Sequence, residues 1–478
     1  MSANTNNHKN RAHRPRRRRC SSGAALLWMA IIIPLLLAMV ALGVDIAYVY
    51  HIEAQLDAGI DAATLAAAGG LAHGQDEARR RAVLYASKNS VGGDPLVLQS
   101  GDIVFGVWDS RAKRIKPTSD AGATAVKVRR DKTADYFFAG IVGFHSTEVA
   151  ASATAVFRSR DIVLVLDYSG SMNDDSELTH ADRLGLGEIR LSLRNIWVDL
   201  GKPVYGKMKF DPVYIGSGRY SSIRSALGLR NVPYPYPSGS WNDYFDYVRN
   251  DSTIRNAGYR RRYGYLTLMN YLQAKQPKAD QTPDLWKTRE QPITAVKNAV
   301  TLFLNYLRQV NTHDHVGLVS YTSKDGKDAL EAQLTNNLAR IEDTSRRRQA
   351  AHYHTYTNIA AGIKTGLQEL RTRARPGALQ MLVLLSDGKT NWRNNQYDPN
   401  GARNAARQQA HLASIEEFPI VTISLGSNAD HSLMQEIADI TEGVHYIVRE
   451  TDDVEDTEAQ LMQVFADIAA HRSLRLVR

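Results

Sequence analysis

Cysteine is nearly missing: Cys20 is the single one among 478 residues. That excludes an intramolecular disulfide framework and any multi-cysteine zinc or iron–sulfur site. Enzyme signatures are also missing. There is no Walker A loop, dinucleotide fingerprint, H-E-x-x-H or G-x-S-x-G. No repeat of fixed period runs through the chain. Apolar residues are not scarce (43%) and charged ones not in excess (23%), which excludes a mainly disordered or fibrous protein. The length suffices for two or three domains.

Acid is absent from the first 23 residues, which hold Lys9, Arg11, Arg14, Arg16, Arg17, Arg18 and Arg19. The formal net charge is +9, so 9 − 7 leaves +2 for everything else. The basic character belongs to a tail, and a nucleic-acid partner is not expected. Charge of either sign is then absent from Ala24 to Val44. At 1.5 Å per residue that run spans roughly the 30 Å hydrocarbon core of a bilayer. Pro34 lies mid-span, where membrane helices tolerate it. Downstream, the next Lys or Arg is Arg79. The positive-inside rule predicts a cytoplasmic tail (1–23), one transmembrane helix (24–44) and an exported C-terminal bulk. A cleaved signal peptide would have a shorter apolar core, of about 7–15 residues. Cys20 precedes the run, whereas a lipoprotein cysteine would follow it.

Residues 45–69 continue the helical pattern, with Leu56, Ile60 and Ala63 on one face and Gly69-Gly70 as a stop. A second helix is predicted over 75–89. Residues 95–158 read as strands, with DYFFAGIVGF among them apolar enough for a short buried helix. From 161 onward, apolar strands at 161–167, 316–321, 379–386, 420–425 and 444–448 alternate with helices near 292–310, 358–373, 401–416, 431–440 and 455–470. That alternation predicts an α/β fold, a doubly wound and mostly parallel sheet. Residues 173–290 interrupt it. They hold 11 of the 22 tyrosines and 3 of the 6 tryptophans, which argues for a folded insertion rather than a linker.

The first of these strands ends in Asp167-Tyr168-Ser169-Gly170-Ser171. Alternate residues there can aim one carboxylate and two hydroxyls at one point. Two further loops, around Thr357 and Asp387, stand at the start of a helix and the end of a strand. Asp167, Ser169, Ser171, Thr357 and Asp387 offer oxygen ligands only, which suits Mg²⁺ or Mn²⁺, with Ca²⁺ as the alternative.

DYSGSM, TYTNIAAGI and LLSDGKTN, in this order, resemble the metal-ion-dependent adhesion site of the von Willebrand factor A domain, a Rossmann-like fold. The resemblance implies that Ser169, Ser171 and Thr357 ligate metal directly, and that Asp167 and Asp387 act mostly through water. It implies a protein partner whose carboxylate completes the metal's shell, and no catalysis. GAALLWMAIIIPLLLAMVALGVD, QLDAGIDAATLAAAG and ADYFFAGIVGFHSTEVAASATAVF resemble TadE/TadG-like Flp (tight-adherence) pilus-assembly proteins of bacteria. That family implies the inner membrane, other pilus-assembly components as partners, and a division into a TadG-like segment (45–158) and a von Willebrand A domain (159–478). The insertion 173–290 departs from the family. Leaving and re-entering on the metal side, it is expected to overhang the site with tyrosines as contacts.

The expected function is therefore a membrane-anchored pilus-assembly or adhesion protein. The alternatives are a von Willebrand A component of an ATPase-linked envelope complex, or a Mg²⁺-dependent hydrolase using His352 or His354 as base. Asp174, Asp175 and Glu177 read as a solvated acidic loop. The pairs His313/His315 and His352/His354 lack partners at zinc spacing.

Overall fold

The computed structural model describes residues 22–477, apart from 72–73, 110–111, 113, 119–122, 158, 311–312, 323–329, 377, 450–453 and 471–473. The basic tail and Cys20 lie outside the described residues.

Helix α1 (Ser22–Gly70) is continuous over 49 residues and passes through Pro34. Its two halves differ in chemistry. Leu26 to Val40 is exposed all round, and this is the one helix among the described residues long and apolar enough to cross a membrane. Beyond Asp45 the helix turns amphipathic, burying Ile52, Leu56, Ile60, Ala63 and Ala67 along one stripe. Helix α2 (Gln75–Ser87) lays Ala78, Ala82 and Ala86 against it. The approach is tight enough to require glycine at the turn: a Cβ on Gly70 would lie 2.6 Å from the Ala78 Cα.

Strands β1 (Ile103–Asp109), β2 (Arg114–Pro117), β3 (Ala125–Asp135) and β4 (Ser146–Phe157) form an antiparallel sheet whose apolar face packs on the second half of α1. β3 and β4 pair along their length, from Ala125↔Val156 to Asp135↔Ser146. The expected buried helix in DYFFAGIVGF is corrected. The segment is the tip of this hairpin, with a short 3₁₀ turn at Ala139–Val142, and it is exposed. Its composition is that of a core, but the long hairpin carries it past the sheet.

The α/β domain follows. Its strands are β5 (Arg160–Asp167), β6 (His315–Tyr321), β7 (Leu330–Thr335), β8 (Leu379–Ser386), β9 (Ile420–Leu425) and β10 (His445–Val448). They lie in the order β7-β6-β5-β8-β9-β10, all parallel except the edge strand β7, whose reversal the sequence did not suggest. β5 is buried at every position, as a central strand covered on both faces must be. Helices Ile293–Val310 and Val454–Ala470 cover one face, and Ile359–Arg373, Pro399–Ile415 and His431–Ile440 the other.

Two arginine–aspartate pairs close the N-terminal pole of this sheet. Arg160, 1% exposed, donates to both oxygens of the buried Asp314 and to the carbonyls of Ile468 and Ala469. Arg375 clamps the carboxylate of Asp161 from two sides. The opposite, C-terminal pole lies about 23 Å away, at the far end of β5 from Arg160 to Asp167. After the last helix, β11 (Leu474–Val477) leaves the α/β domain and pairs antiparallel with β4, Leu474↔Phe157 to Val477↔Thr154. The expectation of a domain running unbroken to 478 is corrected for this strand, which joins the membrane-proximal sheet.

The insertion has a core of its own, built on helices Leu186–Asp199, Trp241–Asn250 and Tyr265–Lys275. Trp241, Tyr244, Phe245, Tyr263, Tyr265 and Tyr271 are at most 2% exposed; Tyr244 meets Trp241, Tyr263 and Tyr271 edge-on or tilted, Phe245 meets Tyr263 edge-on, and Tyr265 stacks on Trp197. Those tyrosines are core rather than partner contacts, which corrects the expectation for them.

Candidate functional site

All five expected residues converge at the C-terminal ends of the parallel strands, where such sheets hold ligands. Asp167 closes β5, and its carboxylate is fixed by two donors. The Ser169 N–H reaches one oxygen at 2.8 Å and the Ser386 hydroxyl the other at 2.8 Å. Ser386 closes the neighbouring β8 and presents Asp387 to the same space. The Ser171 hydroxyl donates to Asp387 Oδ1 at 2.8 Å, and the Ser169 and Ser171 hydroxyls are 3.1 Å apart.

Thr357 arrives on the second loop and is held by its backbone. Its N–H donates to the Asn391 side chain (3.0 Å), and its carbonyl accepts from the N–H groups of Asn391 and Trp392. Asn358 caps the helix behind it through the Ala361 N–H. The Gly170 N–H donates to the Thr355 carbonyl at 2.9 Å, which draws the first two loops together. A Cβ on Gly388 would sit 3.5 Å from Ser171 Oγ and 3.9 Å from Thr357 Oγ1, so these hydroxyls flank one glycine-sized space.

Asp167, Ser169, Thr357 and Asp387 are buried. Burial pushes the Asp167 carboxyl up. Burial, then the charge of Asp167, pushes Asp387 well above the usual carboxylate range. Asp174 is raised to about 6, again by burial first. Among the described residues no Lys or Arg pairs with Asp167 or Asp387. Hydroxyls and few carboxylates fit a hard divalent cation, which would supply the positive charge lacking here. No group of three or more His, Cys, Asp or Glu is placed to hold an ion among the described residues. Asp174, Asp175, His180, Ser171 and Asp387 line a small pocket beside the site. The acidic loop is therefore not simply solvated: Glu177 is buried, and Asp175 is engaged by His180 and Arg183.

Three family models match the chain. Residues 23–70 match "Flp pilus-assembly TadE/G-like", 62–155 match "Tad-like Flp pilus-assembly", and 286–460 match "von Willebrand factor type A domain".

The chain is a TadE/G-like protein with a von Willebrand factor type A domain.

It is accordingly a membrane-anchored, pilus-associated adhesion or assembly protein. In this TadE/G-like chain the von Willebrand match begins only at 286, because the insertion separates β5 and the Asp167 loop from the rest of the sheet. No curated protein matches the chain. Solved structures similar to it include BatB from Bacteroides thetaiotaomicron, at 14% identity over 37% of this chain and 90% of that one (TM-score 0.27). The vWF domain of the type V pili tip protein Mfa5 from Porphyromonas gingivalis matches at 13% over 40% and 90% (TM-score 0.28). A mutant of the PilB minor pilin from Streptococcus sanguinis matches at 11% over 77% and 87% (TM-score 0.34).

The von Willebrand domain also carries an aromatic cluster that sequence reasoning missed. Tyr356 and Trp392 stack at 4.2 Å between ring centroids, with His354 on one side and the exposed Tyr397 beside them. Tyr356 adjoins Thr357, so this platform borders the metal-side pole. The available signal was Trp392, which closely follows the Asp387 loop.

Proposed function

We propose that this protein captures a carboxylate of a protein partner through a divalent cation, Mg²⁺ in the first instance, held at the metal-side pole of its von Willebrand domain. One observation carries the reading: two buried carboxylates and three hydroxyls meet with no cationic side chain among the described residues paired to either carboxylate. Ser169, Ser171 and Thr357 would hold the metal, with Asp167 and Asp387 balancing its charge and fixing the hydroxyls. The bound cation would supply a Lewis-acidic centre with a position open to an acidic side chain. The platform of Tyr356 and Trp392 would add apolar contact area, as aromatic residues do at interfaces. The start of the insertion, through Asp174, Asp175 and His180, would restrict which partners reach the pocket. We further propose that α1 sits in the bacterial inner membrane, with the basic tail cytoplasmic and the domain exported, serving pilus assembly without catalysis.

The test uses the full chain in nanodiscs as bait for pilus-assembly components. Capture should depend on Mg²⁺ and be lost in Asp167→Ala. Capture that survives excess EDTA would refute the metal reading.

A further inference from the structure

The hairpin tip between β3 and β4 has no explanation in the metal site, the sheet or the core. Phe137, Phe138, Ile141, Val142 and Phe144 are 63%, 44%, 87%, 72% and 67% exposed. No charged residue interrupts residues 136–145. Five large apolar side chains grouped on one turn are unusual on a surface facing water.

The tip is fastened at one place, the end of the apolar half of α1. Asp45, the first charged residue after that run, is 1% exposed. Its carboxylate accepts from the backbone N–H groups of Phe137 (2.8 Å), Phe138 (3.1 Å) and Ala139 (2.7 Å). Tyr48, one turn on, meets the ring of Phe137 edge-on at 4.7 Å. The satisfaction is mutual. A carboxylate at the rim of the hydrocarbon is supplied with donors, and the N–H groups of the tip find an acceptor. Depth is indicated independently. From residue 26 to 44, Ala41 alone is partly buried, and it lies one turn to the membrane side of Asp45. The cover on α1 therefore begins within the apolar run.

We propose that the tip, residues 137–144, is a second membrane-binding element that enters the interfacial region of the bilayer beside the exit of α1. Tyr136 and His145 flank it as amphipathic residues at headgroup level. The partner is lipid, because the patch is continuous with the membrane helix and fixed to its rim. The proposal rests on α1 crossing a membrane.

The experiment places an environment-sensitive fluorophore on single cysteines of the full chain in a Cys20→Ser background, in nanodiscs holding one chain each. Positions are Ile141→Cys at the tip, Ile32→Cys within α1 and Tyr214→Cys on the exposed insertion surface. The Ile141 probe should emit to the blue of the Tyr214 probe. Bromine carried high on the lipid chains should quench it, and aqueous iodide should not. Asp45→Ala should reduce the lipid quenching at Ile141 while leaving that at Ile32 unchanged. An Ile141 probe quenched only by iodide overturns the proposal while the Ile32 signal upholds the anchor. A blue-shifted probe without lipid quenching indicates a protein contact and overturns it as well. An Ile32 probe outside lipid overturns the anchor and the proposal together.

Discussion

The two poles of the six-stranded sheet hold buried carboxylates in opposite ways. At the N-terminal pole Asp161 and Asp314 each face an arginine, Arg375 and Arg160, with every oxygen engaged by a donor. At the metal-side pole Asp167 and Asp387 face hydroxyls, a backbone N–H and each other, and their pKa values rise. The same fold thus keeps charge balanced where it only needs stability. It leaves charge unbalanced at the pole where we propose that an outside cation binds. Burial alone does not single out a carboxylate as a candidate for function; burial without a paired cation does.

The comparison can be broken most severely at the paired pole. Arg160→Ala removes the guanidinium that faces the buried Asp314 carboxylate and should cost about 3–5 kcal/mol in a urea unfolding series, the same with or without Mg²⁺. A loss restored by Mg²⁺ would show that the poles are not independent. Glu290 tests burial with only partial compensation. Burial lifts its carboxyl to about 8, against the opposing charge of Lys297. The folded chain then keeps a proton that the unfolded chain releases above its ordinary value near 4.5, so this group's stabilising contribution falls as pH rises from about 4.5 to 8. Glu290→Gln should flatten that fall by a few kcal/mol, read as the change in urea midpoint between pH 5 and pH 8. A variant as pH-dependent as the parent would exclude Glu290 as the cause.

At the metal-side pole the expected effect is smaller and opposite in sign. Asp387→Asn removes one of two repelling charges, so melting without divalent cation should occur at a slightly higher temperature. The rise on adding Mg²⁺ should disappear. A variant that melts lower without metal would mean that the Ser171–Asp387 bond matters more than the repulsion. The surface pair Arg347–Asp343 sets the baseline. Both side chains are about 60% exposed, so Arg347→Ala should change stability by less than about 0.5 kcal/mol.

The α/β strands were legible because β5, β8 and β9 are short, mostly apolar and bounded by turn residues. The five metal-side residues were legible because they lie on strand ends and a helix cap whose positions the alternation fixes. The tyrosines of the insertion were misread because aromatics mark both interfaces and small cores. Only packing separates Tyr244, wholly buried, from Tyr214, at 62% exposed. The tip around Ile141 failed for a related reason: an apolar run shows a need for cover but not whether protein or lipid provides it. The roles of Arg160 and β11 depend on pairings 154 and about 320 residues apart, beyond any local pattern.

The return of β11 to β4 has a mechanical consequence. A domain hung on one strand can swivel about a single backbone bond, and all tension on it runs through that bond. Here the outgoing chain at Phe157 and the incoming chain at Leu474 are partners across one rung of the ladder. A tug on the far pole is divided between two strands lying side by side. The domain is braced like a bracket with two feet, suited to carrying load.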